Sequence, residues 1–216
     1  MIKNIKCGRN QKVTYINNEK GVFGSGIRDL YHYQCYVGEY EIEVENGDSV
    51  WYLDVDNNIV KVSKGPKRIH SKTLATVIRG YQSPEKSNSL VDSTNLPYVN
   101  GCSTRQLIHA ERLGDPTCQL LQIPPGSKEQ SHHIHSTARV VYVLSGRGWS
   151  VVGMEEKSEA VQLLPGMVAI FDPMTPHHFE TEASSEEPLI AIPLHIFSSP
   201  GGVEYNHPMF NGTHLV

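Results

Sequence analysis

The 216 residues carry 19 Lys and Arg against 23 Asp and Glu, a formal charge of −4 with no basic stripe, so the electrostatic footprint of a nucleic-acid binder is missing. Charged residues make up 19% and hydrophobic ones 38%; with 18 Gly and 13 Pro this points to a turn-rich, β-dominated chain rather than a helical bundle. Apolar stretches such as Val140 to Leu144 and Leu189 to Phe197 fall far short of the ~20 residues that span a bilayer, so no membrane partner is expected.

The chain opens on Met1-Ile-Lys-Asn-Ile-Lys-Cys7, alternating and polar, without the apolar core of a signal peptide, and a cytoplasmic protein is the expectation. Cys7, Cys35, Cys102 and Cys118 lack the paired spacing of a zinc site and the density of a disulfide scaffold, and read as reduced thiols. Tyr36 to Val44 alternates, Asn46-Gly47-Asp48 turns the chain and Ser49 to Val55 returns, which predicts a hairpin. Asp56-Asn57-Asn58 turns again before Ile59 to Val62, and Thr73 to Ile78 is a further strand. Ser83 to Asn100 is Ser, Pro, Asn and charge with no apolar period, and reads as a linker closing a β-rich N-terminal region over 1–100.

Thr104 to Glu111 suits helix and strand equally. Beyond it run short strands at close spacing: Thr117 to Ile123, His132 to Ser136, Arg139 to Leu144, Trp149 to Met154, Glu159 to Leu164, Met167 to Phe171 and Pro188 to Phe197. Turn residues separate them, as at Pro124-Pro125-Gly126, Ser145 to Gly148 and Pro165-Gly166. The pattern predicts an all-β sandwich or barrel over 101–197. Ser198 to Val216 has no period and reads as an extended arm.

His133 and His135 stand two apart, so in a strand both imidazoles project from one face while Ile134 points the other way. Pro176-His177-His178-Phe179 lies 42 residues downstream of His135, just after a strand and a loop. If the barrel closes, three histidines meet.

Here the sequence resembles the cupin superfamily. Its first motif, G-x₅-H-x-H-x₃₋₄-E-x₆-G, is matched from Gly126 through His133-Ile-His135 and Arg139 to Tyr142-Val-Leu-Ser-Gly146-Arg-Gly148. Its second, G-x₅-P-x-G-x₂-H, is matched by Gly166-Met-Val-Ala-Ile-Phe-Asp-Pro173-Met-Thr-Pro176-His177. Seventeen residues separate Gly148 from Gly166, close to the spacing of compact cupins. There are three departures. Gly126 lies one residue farther from the histidine pair than the pattern asks. Thr175 stands where the second motif has glycine, which leaves His177 and His178 as rivals for the third histidine; His177 is favoured because it follows proline, eleven residues after Gly166. Most consequential, the glutamate position holds Arg139.

The resemblance implies a cupin barrel, a double-stranded β-helix or jelly roll, in the C-terminal half. The N-terminal region is open to being a degenerate second copy that has no His-x-His. It further implies a metal held by His133, His135 and His177, a set that resembles the three-histidine iron dioxygenases of the superfamily. Arginine has donors only and cannot ligate, so Arg139 is assigned to pair with the carboxylate of an anionic small-molecule substrate. The opposing possibility is a barrel that has lost its metal and binds an anion without one. The cofactor expectation is one divalent transition metal, Fe(II) first, with Zn, Ni, Mn or Cu also suited to imidazole. Activity is expected as a dioxygenase, an oxidoreductase; a metal-dependent isomerase or lyase and a non-catalytic binding barrel are the alternatives. Gln119 and Gln162, set in apolar strands, are candidate substrate contacts, and no catalytic residue is singled out. Glu129, just ahead of the histidines, could swing in as a replacement carboxylate, though its loop position gives no geometric reason to expect it. His132 is expected outside the site and Tyr142 and Trp149 in packing; His195, in the last strand, could line the pocket, though a lone histidine there is more often structural. Cupin barrels often dimerise, and a homodimer is expected.

Overall fold

The computed structural model describes residues 1–9, 11–25, 32–91, 95–111, 115–196 and 213–215. The chain forms two compact units, one of Met1–Asn18 with Thr94–Val216 and one of Glu19–Ser93. In chain order the strands begin with β1 (Ile2–Lys6) and β2 (Lys12–Ile16) in the larger unit. The smaller unit holds β3 (Gly21–Gly24), β4 (Tyr33–Val37), β5 (Tyr40–Val44), β6 (Ser49–Asp54), β7 (Ile59–Lys64), β8 (Lys67–Ser71), β9 (Leu74–Ile78) and β10 (Lys86–Ser89). The larger unit resumes with β11 (Leu96–Pro97), β12 (Ser103–Ile108), β13 (Thr117–Ile123), β14 (His133–His135), β15 (Ala138–Ser145), β16 (Gly148–Val152) and β17 (Glu159–Leu163). It ends with β18 (Val168–Phe171), β19 (His177–Glu180), β20 (Leu189–Ile196) and β21 (Thr213–Leu215). Among the described residues no helix is long and apolar enough to cross a membrane.

The larger unit is a sandwich of two antiparallel sheets, ordered β1-β2-β18-β15-β20-β13-β12-β11 and β17-β16-β19-β14-β21. Strands β15 and β20 lie at the centre of the first sheet, and most of their residues are buried on both faces. Leu121, Val141 and Phe171 from that sheet and Val152, Leu163 and Phe179 from the other belong to one apolar cluster, which joins the two layers. Gly146 closes the β15–β16 turn at φ +73°, where an added Cβ would lie 2.0 Å from the Pro188 carbonyl oxygen, so glycine alone fits. Of the Thr104 to Glu111 segment, the part up to Ile108 is strand, in β12.

Two boundaries differ from expectation. The barrel unit takes in more than 101–197, because β2 pairs with β18 (Ile16 opposite Val168, Val13 opposite Phe171) and carries Tyr15 into the core. The linker expected over 83–100 contains β10, paired with β7. The arm expected over 198–216 falls largely outside the described residues; Thr213–Leu215 pairs with β14.

In the smaller unit the predicted hairpin does not form. Tyr36 to Val44 is broken at Gly38 (φ +96°) into β4 and β5, and β5 pairs with β8 while β6 pairs with β7 and β9. Asn46-Gly47 therefore joins strands of different sheets. The order β7-β6-β9-β4, faced by the pair β5-β8, repeats the order β18-β15-β20-β13, faced by β14-β19. The flanking strands repeat as well, with β10 on β7 and β3 on β4 matching β2 on β18 and β12 on β13. The β16–β17 hairpin has no counterpart, since the chain turns from β6 to β7 within Val55 to Asn58. The smaller unit is thus a reduced copy of the larger.

Candidate metal centre

Strand β14 presents His133 and His135 on its buried face, with Ile134 half-buried on the other. His133 is the cross-strand partner of His177 on β19, so register brings the third imidazole to the same face. Ring centroids lie 4.7 Å apart for His133 and His135, 4.6 Å for His133 and His177, and 5.4 Å for His135 and His177. One ligand atom from each falls within 4.8 Å of the others, and all three residues are buried.

Backbone carbonyls orient two of the rings. The Nδ1–H of His133 donates to Ser131 O at 2.9 Å and that of His177 to Thr175 O at 2.7 Å, leaving each Nε2 lone pair aimed inward. The Thr175 carbonyl is set by a turn in which Met174 takes φ +63° and the Thr175 hydroxyl donates to Asp172 O. Met174 therefore supplies the left-handed residue that a glycine would otherwise provide. His178 points elsewhere and donates through Nδ1 to His132 Nδ1 at 2.8 Å, while His132 Nε2 donates to Gly153 O. Of the two rivals, His177 is the one in the cluster.

The donors fit a divalent transition metal. Bonds of about 2.0–2.1 Å to one ion place adjacent nitrogens roughly 3 Å apart, and His133 Nε2 and His135 Nε2 are 2.9 Å apart. Burial, together with the Arg139 and His133 charges, holds His177 well below the usual histidine range, so its ring is neutral as a ligand must be.

Arg139, on β15 opposite His195 and Phe171, is 3% exposed, and its Nη1 donates to His177 Nε2 at 3.1 Å. Among the described residues its Nε and Nη2 have no hydrogen-bond partner. These two donors form one edge of the guanidinium, the geometry that binds a carboxylate through two parallel bonds. Burial pushes the Arg139 pKa down to about 9, against the pull of Glu129, and the group stays cationic at neutral pH.

The same face carries further polar groups. Thr117 lies across β20 from Arg139, with His195 between them, and the His195 ring is 5.7 Å from that of His135. Gln119, two residues on from Thr117, is 1% exposed and shares the face of core residues Leu121 and Ile123. Gln162 does not join them: it is exposed on β17 and lines a surface cleft with Trp149 and Glu182. The apolar residues around it in sequence gave no clue that β17 is an edge strand.

Two residues that sequence reasoning left open lie beside the cluster. His195 reaches the cluster only through the pairing of β20 with β15, which no local pattern discloses. Glu129 is 2% exposed, and its loop is bound to β19 by Glu129 N–H donating to Phe179 O at 2.9 Å and Phe179 N–H donating to Glu129 Oε1 at 3.3 Å. Its Oε1 lies 4.0 Å from His133 Nε2. Burial pushes its pKa up to about 7, with Arg139 and the Phe179 N–H pulling the other way.

A two-sheet jelly roll closing over a cluster of inward imidazoles is the architecture of a small-molecule or metal-binding barrel. Residues 119–196, within the larger unit, match the cupin domain family. Among solved structures it is similar to a serine-to-alanine mutant of Bacillus subtilis oxalate decarboxylase OxdC, with TM-score 0.51 and 9% identity over 90% of this chain and 74% of that one. A cupin 2 conserved barrel domain protein from Leptotrichia buccalis aligns with TM-score 0.42 and 12% identity over 91% of this chain and 88% of that one. The polyketide cyclase RemF from Streptomyces resistomycificus aligns with TM-score 0.41 and 17% identity over 56% of this chain and 76% of that one. No curated protein sequence matches the chain. The 90% coverage of the oxalate decarboxylase alignment extends the fold likeness into the smaller unit.

Proposed function

We propose that the larger barrel is a metal-dependent enzyme, a non-haem Fe(II) dioxygenase acting on a small carboxylate-bearing molecule. The observation that carries this reading is the convergence of three buried imidazole donors beside a buried guanidinium whose Nε and Nη2 have no partner among the described residues. His133, His135 and His177 are the ligands, and a metal there supplies Lewis acidity and open positions for oxygen and substrate. For His177 to ligate, Arg139 turns its Nη1 aside. Its Nε and Nη2 receive the substrate carboxylate and fix the substrate's orientation. Gln119 and Thr117 contribute polar contacts from the neighbouring strand, and Phe171, with its ring centroid 4.9 Å from that of His177, keeps the wall behind that ligand dry.

A specific contact favours a second reading. Arg139 Nη1 sits on the lone pair of His177, so the guanidinium itself supplies a cation to the cluster, and the barrel binds an organic anion without metal.

Protein purified without a histidine tag and loaded anaerobically with Fe(II) is measured by elemental analysis beside His133→Ala/His135→Ala. Stoichiometric iron in the wild type, lost in the double variant, supports the metal reading; absence of bound metal leaves the anion-binding barrel. Oxygen uptake with a carboxylate substrate supports the dioxygenase, whereas metal-dependent turnover without oxygen uptake assigns an isomerase or lyase.

A further inference from the structure

We infer that the larger barrel takes an ω-amide acid, a small molecule with one carboxylate for Arg139 and, at its far end, an uncharged amide read by Gln106 and Thr117. The inference rests on the reading above of Arg139 as a carboxylate clamp.

The register of the larger sheet leads there. Arg139 on β15 pairs with His195 on β20, and His195 pairs with Thr117 on β13, so the three side chains leave the sheet on one face. Two residues along β13, Gln119 shares that face and stands opposite Gln106 on β12. Gln106 therefore also faces the barrel interior. It is half-buried as a residue, yet both polar atoms of its amide are shielded from solvent and have no partner among the described residues. The hydroxyl of Thr117, a fully buried residue, has none there either. Leucine at 106 and valine at 117 would close the same wall without the cost of buried, unbonded polar groups, so these groups find their explanation in a ligand.

The chemistry of the ligand's far end follows from the hydrogen-bonding capacity and the charge of this wall. A glutamine side chain both donates and accepts, and another amide satisfies both ends at once. A second carboxylate accepts only, and would set its oxygens against Gln106 Oε1. Nor is there a second cation to balance it: among the described residues the inner positions of β12 and β13 hold no Lys or Arg, since Arg105 stands opposite Leu120 and alternates to the other face. Neighbouring strands stand about 4.8 Å apart, so β12, three strands from β15, lies about 14 Å across the sheet. Both side chains reach inward over part of that span, and a chain of a few carbons bridges the rest.

The test reads binding by calorimetry on the full-length protein. Succinamate, glutaramate and adipamate, which differ by one methylene each, are titrated first. The tightest is then compared with the dicarboxylate and the isopropyl-ended acid of the same length. Wild type binds the amide acid at least about tenfold more tightly than either, as a site built to hydrogen-bond a polar group does. Gln106→Leu inverts the order: the amide acid weakens by about tenfold or more while the isopropyl-ended acid tightens, an opposition that general damage to the fold would not produce. Thr117→Val, which keeps the shape of the side chain, lowers affinity for the amide acid in the same direction. A wild type that prefers the dicarboxylate or the isopropyl-ended acid, or an amide preference that survives both variants, overturns the assignment of Gln106 and Thr117 while leaving the carboxylate clamp intact. Failure of all these acids to bind wild type, or binding that survives Arg139→Met, overturns the clamp itself, and the inference with it.

Discussion

Arg139→Met separates a residue reserved for a ligand from one that braces the fold. Arg139 is buried, and among the described residues it makes one hydrogen bond, to His177, and leaves Nε and Nη2 unsatisfied. Two unpaired buried donors cost about 1–3 kcal/mol each, and the single charged hydrogen bond returns about 1.5–3 kcal/mol. Methionine fills similar volume without polar atoms, and the Glu129 carboxyl, already at about 7, takes up a proton once the opposing cation is gone. The expected net effect is a stabilisation on the order of 1–3 kcal/mol, in line with buried ionic groups replaced by apolar ones. The assay is urea unfolding at pH 7 with chelator present, in a Trp51→Phe background. Trp149 is then the one remaining tryptophan, and it reports on the larger unit. With a urea m-value of about 2 kcal/mol/M, the midpoint rises by roughly 0.5–1.5 M. Pyruvate or benzoate should raise the wild-type midpoint and leave that of Arg139→Met unmoved, since a ligand stabilises only the state it binds. A midpoint that falls on Arg139→Met refutes the reasoning, because the guanidinium would then be holding the barrel together.

Other outcomes follow from the same geometry. His177→Ala abolishes stoichiometric metal retention whereas His178→Ala preserves it, read by elemental analysis; the reverse result would move the third ligand one residue on. Tyr15→Ala, which empties a 1%-exposed ring site and removes the 2.8 Å hydrogen bond to Ser150, lowers the stability of the larger unit by about 3–5 kcal/mol in urea unfolding, and no effect would detach the first 18 residues from the barrel. Burial raises the thiols of Cys35 and Cys118 to about 12, so at pH 8 both resist a thiol reagent until urea unfolds the chain. Bound metal is released as pH falls: the neutral His177 ring is required for ligation, its folded-state pKa lies below 6.5, and metal competes with protons for the same nitrogen. Retention is therefore full at pH 7 and lost in the acid range, measured by dialysis against buffers of falling pH.

The barrel was legible because its signals are local. Period-two burial, turn glycines and the i, i+2 histidine pair each act over a few residues, and they placed β13 to β18 and β20 within a residue or two at most ends, while β19 was not among the predicted strands. What stayed hidden depends on pairing between distant segments. The alternation at Met1 to Cys7 does not say that β2, further on, will join β18, and Gln162 looks like any polar residue in an apolar strand until β17 proves to be an edge. The Asn46-Gly47 turn misled for a physical reason. A tight turn specifies reversal, not partnership, and the break at Gly38 had already moved β5 into the other sheet. Glu129 is the sharpest case: a loop residue reads as solvated unless something pulls the loop inward, and the pull is a pair of hydrogen bonds to Phe179, 50 residues away.

The smaller unit serves as an internal comparison for the polar interior of the larger one. Its strand pair β5-β8 takes the place of β14-β19, and where His133 faces His177 the smaller unit sets Ile42 opposite Ile69, both buried in its apolar cluster with Val44, Val50, Ala75 and Val77. The same topology therefore closes without imidazoles, and nothing in the strand order requires a buried arginine or glutamate. Each such group in the larger unit carries a desolvation cost that an isoleucine would avoid. Groups that the architecture does not need, that lower stability and that converge on a single buried face find their physical explanation in what they bind. The smaller unit also makes the point testable, since placing His-x-His on β5 alone would supply two donors with no counterpart of His177, Glu129 or Arg139 and should yield no tight metal site.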